Sequence, residues 1–229
     1  MKVLLVQREK NNDYTSNILL IINLFQYTSK IRQLSYKIYV RRMGKNKRSV
    51  MVLLSGGIDS AACLDYYLKE KFDIISIFID YGQKAKTYEL KSARKIAEYY
   101  KVRFEEITLK STKIFSDGEI IGRNVFLILT AIMNYPEFKG IISLGIHIGT
   151  PYYDCSESFV KTINQLLQGY MGGNVLLDAP FLKWNKLMIY KYCKDNNVPL
   201  NLTYSCENGT DPPCGLCLSC RDRKGLNVS

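Results

Sequence analysis

From residue 50 onward, short apolar runs alternate with stretches whose apolar residues recur at helical spacing. Val50 to Leu54 is a continuous apolar run, the pattern of a strand buried on both faces. Ala61 to Lys71 reads as a helix with Leu64, Tyr67 and Leu68 inward. Ile74 to Ile79 is a second buried strand. Tyr88 to Tyr100 puts Leu90, Ala93, Ala97 and Tyr100 on one helical face. Phe104 to Leu109 is a weaker strand, Val125 to Met133 a strongly apolar helix, and Ile141 to Ile146 a strand. Phe159 to Tyr170 is a helix and Val175 to Leu177 a short strand. Lys186 to Lys194 is the last helix, and Pro199 marks its end. Five strands alternating with helices predict an α/β fold, a doubly wound parallel sheet over residues 50–200. Ligands in such sheets bind beyond the carboxyl ends of the strands.

The first 49 residues follow a different pattern. Met1 to Val6 fits an edge strand, and Ile18 to Phe25 fits strand or helix. That apolar run is far shorter than the roughly 20 residues of a bilayer-spanning helix, and no small-residue cleavage site follows it. The expectation is a cytoplasmic protein with no membrane partner. The formal charge is +11, but it is unevenly spread: residues 1–49 carry eleven Lys or Arg against two Asp or Glu. The imbalance therefore belongs to a basic N-terminal extension, read as a solvated arm. A translation start at Met43 is a second reading of the same segment.

The chain from 50 to 60 carries the first chemistry. A strand leads into Ser55-Gly56-Gly57-Ile58-Asp59-Ser60, and a helix follows. Adjacent glycines let the backbone turn tightly and approach a ligand. The opening helix offers unpaired N–H groups and the positive end of its dipole. Ser55 and Ser60 add hydroxyls. Leu54, Ser55, Gly56, Gly57, Ile58, Asp59, Ser60, Ala61, Ala62 and Cys63 are thus the candidate nucleotide-binding residues. Asp59 fits either a Mg²⁺ ligand or the helix cap.

Seven cysteines include four near the C-terminus: Cys206, Cys214, Cys217 and Cys220. Two consecutive C-x₂-C steps close a tetrahedral four-thiolate site, for Zn²⁺ or an iron–sulfur cluster. With no redox partner motif beside it, zinc is the preferred ion. Residues 201–229 are read as a small zinc-binding segment, in which four Cys ligands leave no place for substrate.

S-G-G-x-D-S after the first strand resembles the PP-loop ATP pyrophosphatases, which cleave ATP between its α- and β-phosphates. Further segments carry a closer resemblance. They are Asp80-Tyr81-Gly82-Gln83, Gly122-Arg123-Asn124, Gly145, Tyr153-Asp154-Cys155 with Phe159, Pro180-Phe181 with Lys186, and Ser205-Cys206 with Cys214-Gly-x-Cys217-x-x-Cys220 and Arg223. In this order they resemble the 7-cyano-7-deazaguanine synthase family. The resemblance implies an adenine-nucleotide alpha-hydrolase-like fold, ATP, Mg²⁺ and Zn²⁺. It also implies an ATP-dependent ligase that turns 7-carboxy-7-deazaguanine and ammonia into the nitrile, through an acyl-adenylate and an amide. Asp59, Arg123 and Lys186 become the expected catalytic residues, with Tyr153 stacking on the base and Asp154 accepting its N–H groups. A homodimer is the implied assembly. His147, the sole histidine, falls at a strand end near the ligand side or serves as a structural residue.

The sequence departs from the family pattern at Ile58, at Ser156 and over Gly145 to Tyr153. Two further readings therefore stay open. One is a paralogue that stops at the amide or joins the activated acid to a protein or nucleic acid. The other is a tRNA-modifying adenylase whose basic N-terminus grips phosphates. A thiolating version of that enzyme requires a reactive Cys155.

Overall fold

The computed structural model describes residues 48–115 and 118–226. The expectations for Met1 to Val6, Ile18 to Phe25, the basic arm up to residue 47 and a start at Met43 lie outside the described residues. Five strands form one parallel sheet. They are β1 (Ser49–Leu53), β2 (Asp73–Asp80), β3 (Arg103–Thr108), β4 (Gly140–Ser143) and β5 (Val175–Asp178), in the order β3-β2-β1-β4-β5. β1 is central. Val50 lies opposite Ile74 of β2 on one side and Ile141 of β4 on the other. Val50 to Leu53 are all buried, which is why this strand reads as an unbroken apolar run.

The connections are helices α1 (Ile58–Lys69), α2 (Lys86–Tyr100), α3 (Arg123–Asn134), α4 (Glu157–Met171), α5 (Lys186–Asp195) and α6 (Leu218–Gly225). Alternation along the strands divides them between two faces. Met51, Leu53, Ile77, Ile142 and Leu177 pack with Ile128 and Ile132 of α3 and with Phe159, Ile163 and Leu167 of α4. On the other face, α1 packs on β1, β2 and α5, and α2 packs on β2 and β3.

Helices α1 and α5 are fastened to each other near their C-terminal ends. The buried Asp65 carboxylate accepts hydrogen bonds from Tyr192 Oη (2.7 Å), Tyr100 Oη (3.2 Å) and Lys69 Nζ (2.7 Å). Lys69 Nζ also donates to Asn196 Oδ1 at 2.9 Å. Three donors offset the cost of taking this carboxylate out of water.

Two expectations need correction. β4 ends at Ser143 rather than Ile146. There the chain turns, because Leu144 N donates to Asp178 O and Gly145 is drawn against the start of α1. The cysteine-rich segment contains a helix, α6, with Cys217 at its N-cap and Cys220 inside it. Among the described residues, no helix is long and apolar enough to cross a membrane.

Candidate active site

The strand order reverses between β1 and β4, so the connections after them diverge to opposite faces and leave a crevice. The loop from Ser55 and the start of α1 fill one side of it. Gly56 has φ +84°, and a Cβ there would lie 2.5 Å from the Glu89 carbonyl oxygen and 2.8 Å from Ser92 Cβ. Conformation and contact both demand glycine. Gly57 is the N-cap of α1, and no side chain bonds to the cap. The first-turn N–H groups are therefore available to an anion. Ser60 Oγ donates to Gly57 O at 3.0 Å and lies 3.1 Å from Ser55 Oγ, bracing the turn.

Gly145 closes the other side. A Cβ at this position would lie 2.9 Å from Asp59 C and from Ser60 N. The segment after β4 thus lies against the first turn of α1 and brings His147 with it. His147 Nδ1 accepts the Gly149 N–H at 3.0 Å, so the neutral ring carries its proton on Nε2. That atom lies 4.0 Å from Asp59 Oδ2. Burial lowers the His147 pKa, with Lys186 adding to the effect and Asp59 opposing it.

Asp59 is not the cap of α1; it is the second residue of the helix. Its Oδ2 accepts from Lys186 Nζ, the first residue of α5, at 2.6 Å. Its Oδ1 is buried with no hydrogen-bond partner. A buried carboxylate oxygen left without a donor suits a hard cation.

These groups open into a cavity of about 530 Å³, within the range of small-molecule sites. Leu54, Ser55, Gly57, Ile58, Asp59 and Ser60 line it, together with Arg123 and Lys186. Gly56, Ala61, Ala62 and Cys63 do not; they lie behind the loop and within the helix–sheet core, and burial pushes the Cys63 thiol far up. Tyr153 and Asp154 do not line it either. The 3₁₀ turn Tyr153–Cys155 swings Tyr153 out onto Phe159 and Thr162, while Cys155 and Tyr152 face the cavity. The Asp154 backbone is tied instead, its carbonyl accepting from Asn124 Nδ2 at 3.3 Å.

The opposite wall contains residues to which the sequence reading gave no site role. Tyr81, Gln83, Glu89, Phe115 and Asn124 line it. Gln83 is fixed in orientation. Its Oε1 accepts from Tyr81 N at 2.9 Å, and its Nε2 donates to Ile79 O and to Glu89 Oε2, both at 3.2 Å. Desolvation raises Glu89 to about 7, against the opposing effects of Gln83 and the Arg123 charge. A signal for Glu89 was present in the sequence: Ala85 and Ala93, four residues either side of it, are buried, so Glu89 lies on the inward stripe of α2.

The four C-terminal cysteines converge. The sulfur atoms of Cys206, Cys214, Cys217 and Cys220 all lie within 4.8 Å of one another. Backbone N–H groups of Cys214, Leu216 and Cys217 point at cluster sulfurs at 3.3 to 3.5 Å, the arrangement that stabilises thiolates around a metal. This donor set is compatible with a bound metal ion.

The metal-ready segment docks on the cavity. Tyr204 N donates to Gly56 O at 2.9 Å, and the Tyr204 ring stacks on Tyr88 at 5.1 Å. Glu207 accepts from Ser219 N and Oγ and from Gly118 N. Arg223 donates to Thr203 O and Leu200 O, and both Glu207 and Arg223 reach the cavity wall.

Residues 49–125 and 120–227 match the family described as queuosine biosynthesis protein QueC. A 7-cyano-7-deazaguanine synthase of Prochlorococcus marinus is 32% identical over 210 residues, covering 78% of this chain and 92% of its own. One from Acetivibrio thermocellus is 29% identical over 210 residues, covering 76% and 90%. Among solved structures, the NH3-dependent NAD synthetase of Campylobacter jejuni aligns with a TM-score of 0.47 and 16% identity, covering 75% of this chain and 73% of that one. From the central strand to the cysteine-bearing helix, the chain belongs to the QueC family of queuosine biosynthesis proteins.

Proposed function

We propose that this protein is an ATP-dependent ligase that converts 7-carboxy-7-deazaguanine and ammonia to 7-cyano-7-deazaguanine, releasing AMP and pyrophosphate. The observation that carries the reading is one cavity, in a chain of this family, shared by the uncapped start of α1, Asp59, Arg123 and Lys186. Residues 50–200 then form the nucleotide-binding domain and residues 201–229 the metal-binding segment, with 1–49 as a basic extension.

The chemistry follows from leaving groups. A substrate carboxylate oxygen attacks the α-phosphorus of ATP and expels pyrophosphate. Ammonia then attacks the acyl carbon, AMP departs, and a proton is lost to give the amide. The amide oxygen attacks a second ATP in the same way, and loss of AMP and a proton leaves the nitrile. The protein contributes position and charge. The Ser55–Ser60 turn and the α1 N–H groups hold phosphate oxygens. Lys186 and Arg123 offset charge at the α-phosphate and on the departing group. Asp59 Oδ1 is the group suited to Mg²⁺, which would neutralise phosphate charge when bound. Zn²⁺ would be held by Cys206, Cys214, Cys217 and Cys220 as a closed staple without a reacting position. All seven cysteines are free, as a reducing cytoplasm requires for these thiols to remain open to metal.

A thiolating reading needs a Cys155 thiolate. Burial pushes that thiol up to about 11, so it stays protonated at neutral pH, which speaks for a wall residue.

The test is incubation with ATP, Mg²⁺, ammonia and 7-carboxy-7-deazaguanine, following AMP and the base by mass spectrometry. Nitrile formed with two AMP per base supports the proposal. No AMP under any ammonia supply overturns it. Accumulation of the amide, or of a macromolecular adduct, assigns the chain to a paralogous activity.

A further inference from the structure

Four carboxylates line the cavity: Asp59, Glu89, Glu207 and Asp222. Three are accounted for. Asp59 is paired with Lys186 through Oδ2, and its buried Oδ1 is the oxygen suited to a cation. Glu207 takes three protein donors between its two oxygens. Asp222 is exposed to solvent. Glu89 is different. It projects from the first turn of α2, and among the described residues its donor is the Gln83 amide, at Oε2. Gln83 has both ends committed elsewhere, so its part is to fix the carboxylate, not to read a ligand. Tyr81 and Phe115, with ring centroids 5.8 Å apart, line the same cavity. A largely desolvated carboxylate with one oxygen open to the cavity is suited to N–H donors from whatever fills it.

We propose that Glu89 reads the base of the substrate, its carboxylate accepting the parallel N1–H and 2-amino N–H of a 7-deazaguanine ring. The inference rests on the substrate assigned above. The donor pattern decides the partner. A guanine-type edge presents two N–H groups side by side, which match the two oxygens of a carboxylate. An adenine edge presents one amino group beside a ring-nitrogen lone pair, which an ionised carboxylate repels. The Arg123 charge favours the ionised form of Glu89 against the larger effect of desolvation, and N–H donors from the base would favour that form further. The tilted Tyr81 and Phe115 rings at the same wall offer aromatic contact to the base. Glu89 thus fills the role expected of Asp154, which lies off the cavity.

The experiment is a calorimetric titration of the intact protein, without catalysis. The ligands are 7-carboxy-7-deazaguanine, its 2-desamino analogue and ATP. The parent protein is expected to bind the 2-amino acid roughly 10- to 100-fold more tightly than the desamino analogue, the range for a hydrogen bond to a charged group. In Glu89→Gln both acids should bind weakly and within about threefold of each other, while ATP affinity holds. Glu89→Asp, which keeps the charge, should retain the preference at lower affinity; it also serves if the glutamine variant folds poorly. Undiminished discrimination in Glu89→Gln overturns the inference. So does a variant that loses ATP and keeps the acid, which would assign Glu89 to the nucleotide. A parent protein that binds neither acid refutes the substrate assignment itself, and the two failures are thereby told apart.

Discussion

At the scale of single residues, Glu89 ties stability to ligand binding. Its folded pKa of about 7 lies above the ordinary 4.5, because desolvation outweighs the Gln83 hydrogen bond and the Arg123 charge, while Glu207 adds to the rise. Between those two values the folded chain holds a proton that the unfolded chain has lost. Folding is therefore penalised progressively as pH rises through that window. Glu89→Gln cannot ionise, so its melting midpoint is expected to exceed the parent's at pH 8 and to match it near pH 4.5. A difference that does not grow with pH would mean that the carboxylate is well solvated. Asp59→Ala removes the orphaned Oδ1 and strands Lys186; AMP formation, read by chromatography, should fall by roughly 10²-fold or more while the fold survives. The sequence exposed Asp59 because glycines, hydroxyls and a strand-to-helix transition surround it within six residues. Glu89 was hidden because a charged residue on a helix ordinarily faces water. Only its place on the 85-89-93 stripe marks it as inward, and Gln83 meets it through a turn that the local pattern does not describe.

At the scale of elements, hydrophobic periodicity identified, among the described residues, all five strands and five of the six α-helices. Buried parallel strands and amphipathic helices carry their environment in their composition. Two features escaped for opposite reasons. β4 stops early because tertiary contact, the approach of Gly145 to α1, overrides an apolar run. α6 contains Arg221, Asp222, Arg223 and Lys224 with no apolar stripe, so cysteines and docking hold it where a core would normally do so. The Asp65 cluster joins three helices through side chains that no periodicity relates. Asp65→Ala is expected to cost about 3 kcal/mol in denaturant unfolding, since two partly buried tyrosines and Lys69 lose their shared acceptor. A change below about 0.5 kcal/mol would show that water replaces the carboxylate at no loss.

At the scale of the whole molecule, the cysteine-bearing segment and the cavity form one structure. Tyr204, Ser205, Glu207 and Arg223 belong to the segment and line the cavity, and Tyr204 N is bonded to Gly56 O in the Ser55–Ser60 turn. Cys217→Ser, or prolonged chelation of the parent, is expected to remove a stoichiometric zinc seen by elemental analysis. The melting midpoint should drop and ATP binding should weaken with it. Full ATP affinity in the metal-free protein would separate the two functions. One consequence concerns α1 and α5. Both begin at the cavity, where Asp59 and Lys186 meet, and both are tied toward their C-terminal ends, where Asp65 and Lys69 hold Tyr192 and Asn196. They behave as the two arms of a pair of tongs with the pivot remote from the tips. Ten residues of α1 separate Asp59 from Lys69, an arm of about 15 Å. A small change in angle at the pivot is magnified over that length, so substitutions at Tyr192 or Asn196, which lie off the cavity lining, would alter how Asp59 and Lys186 meet.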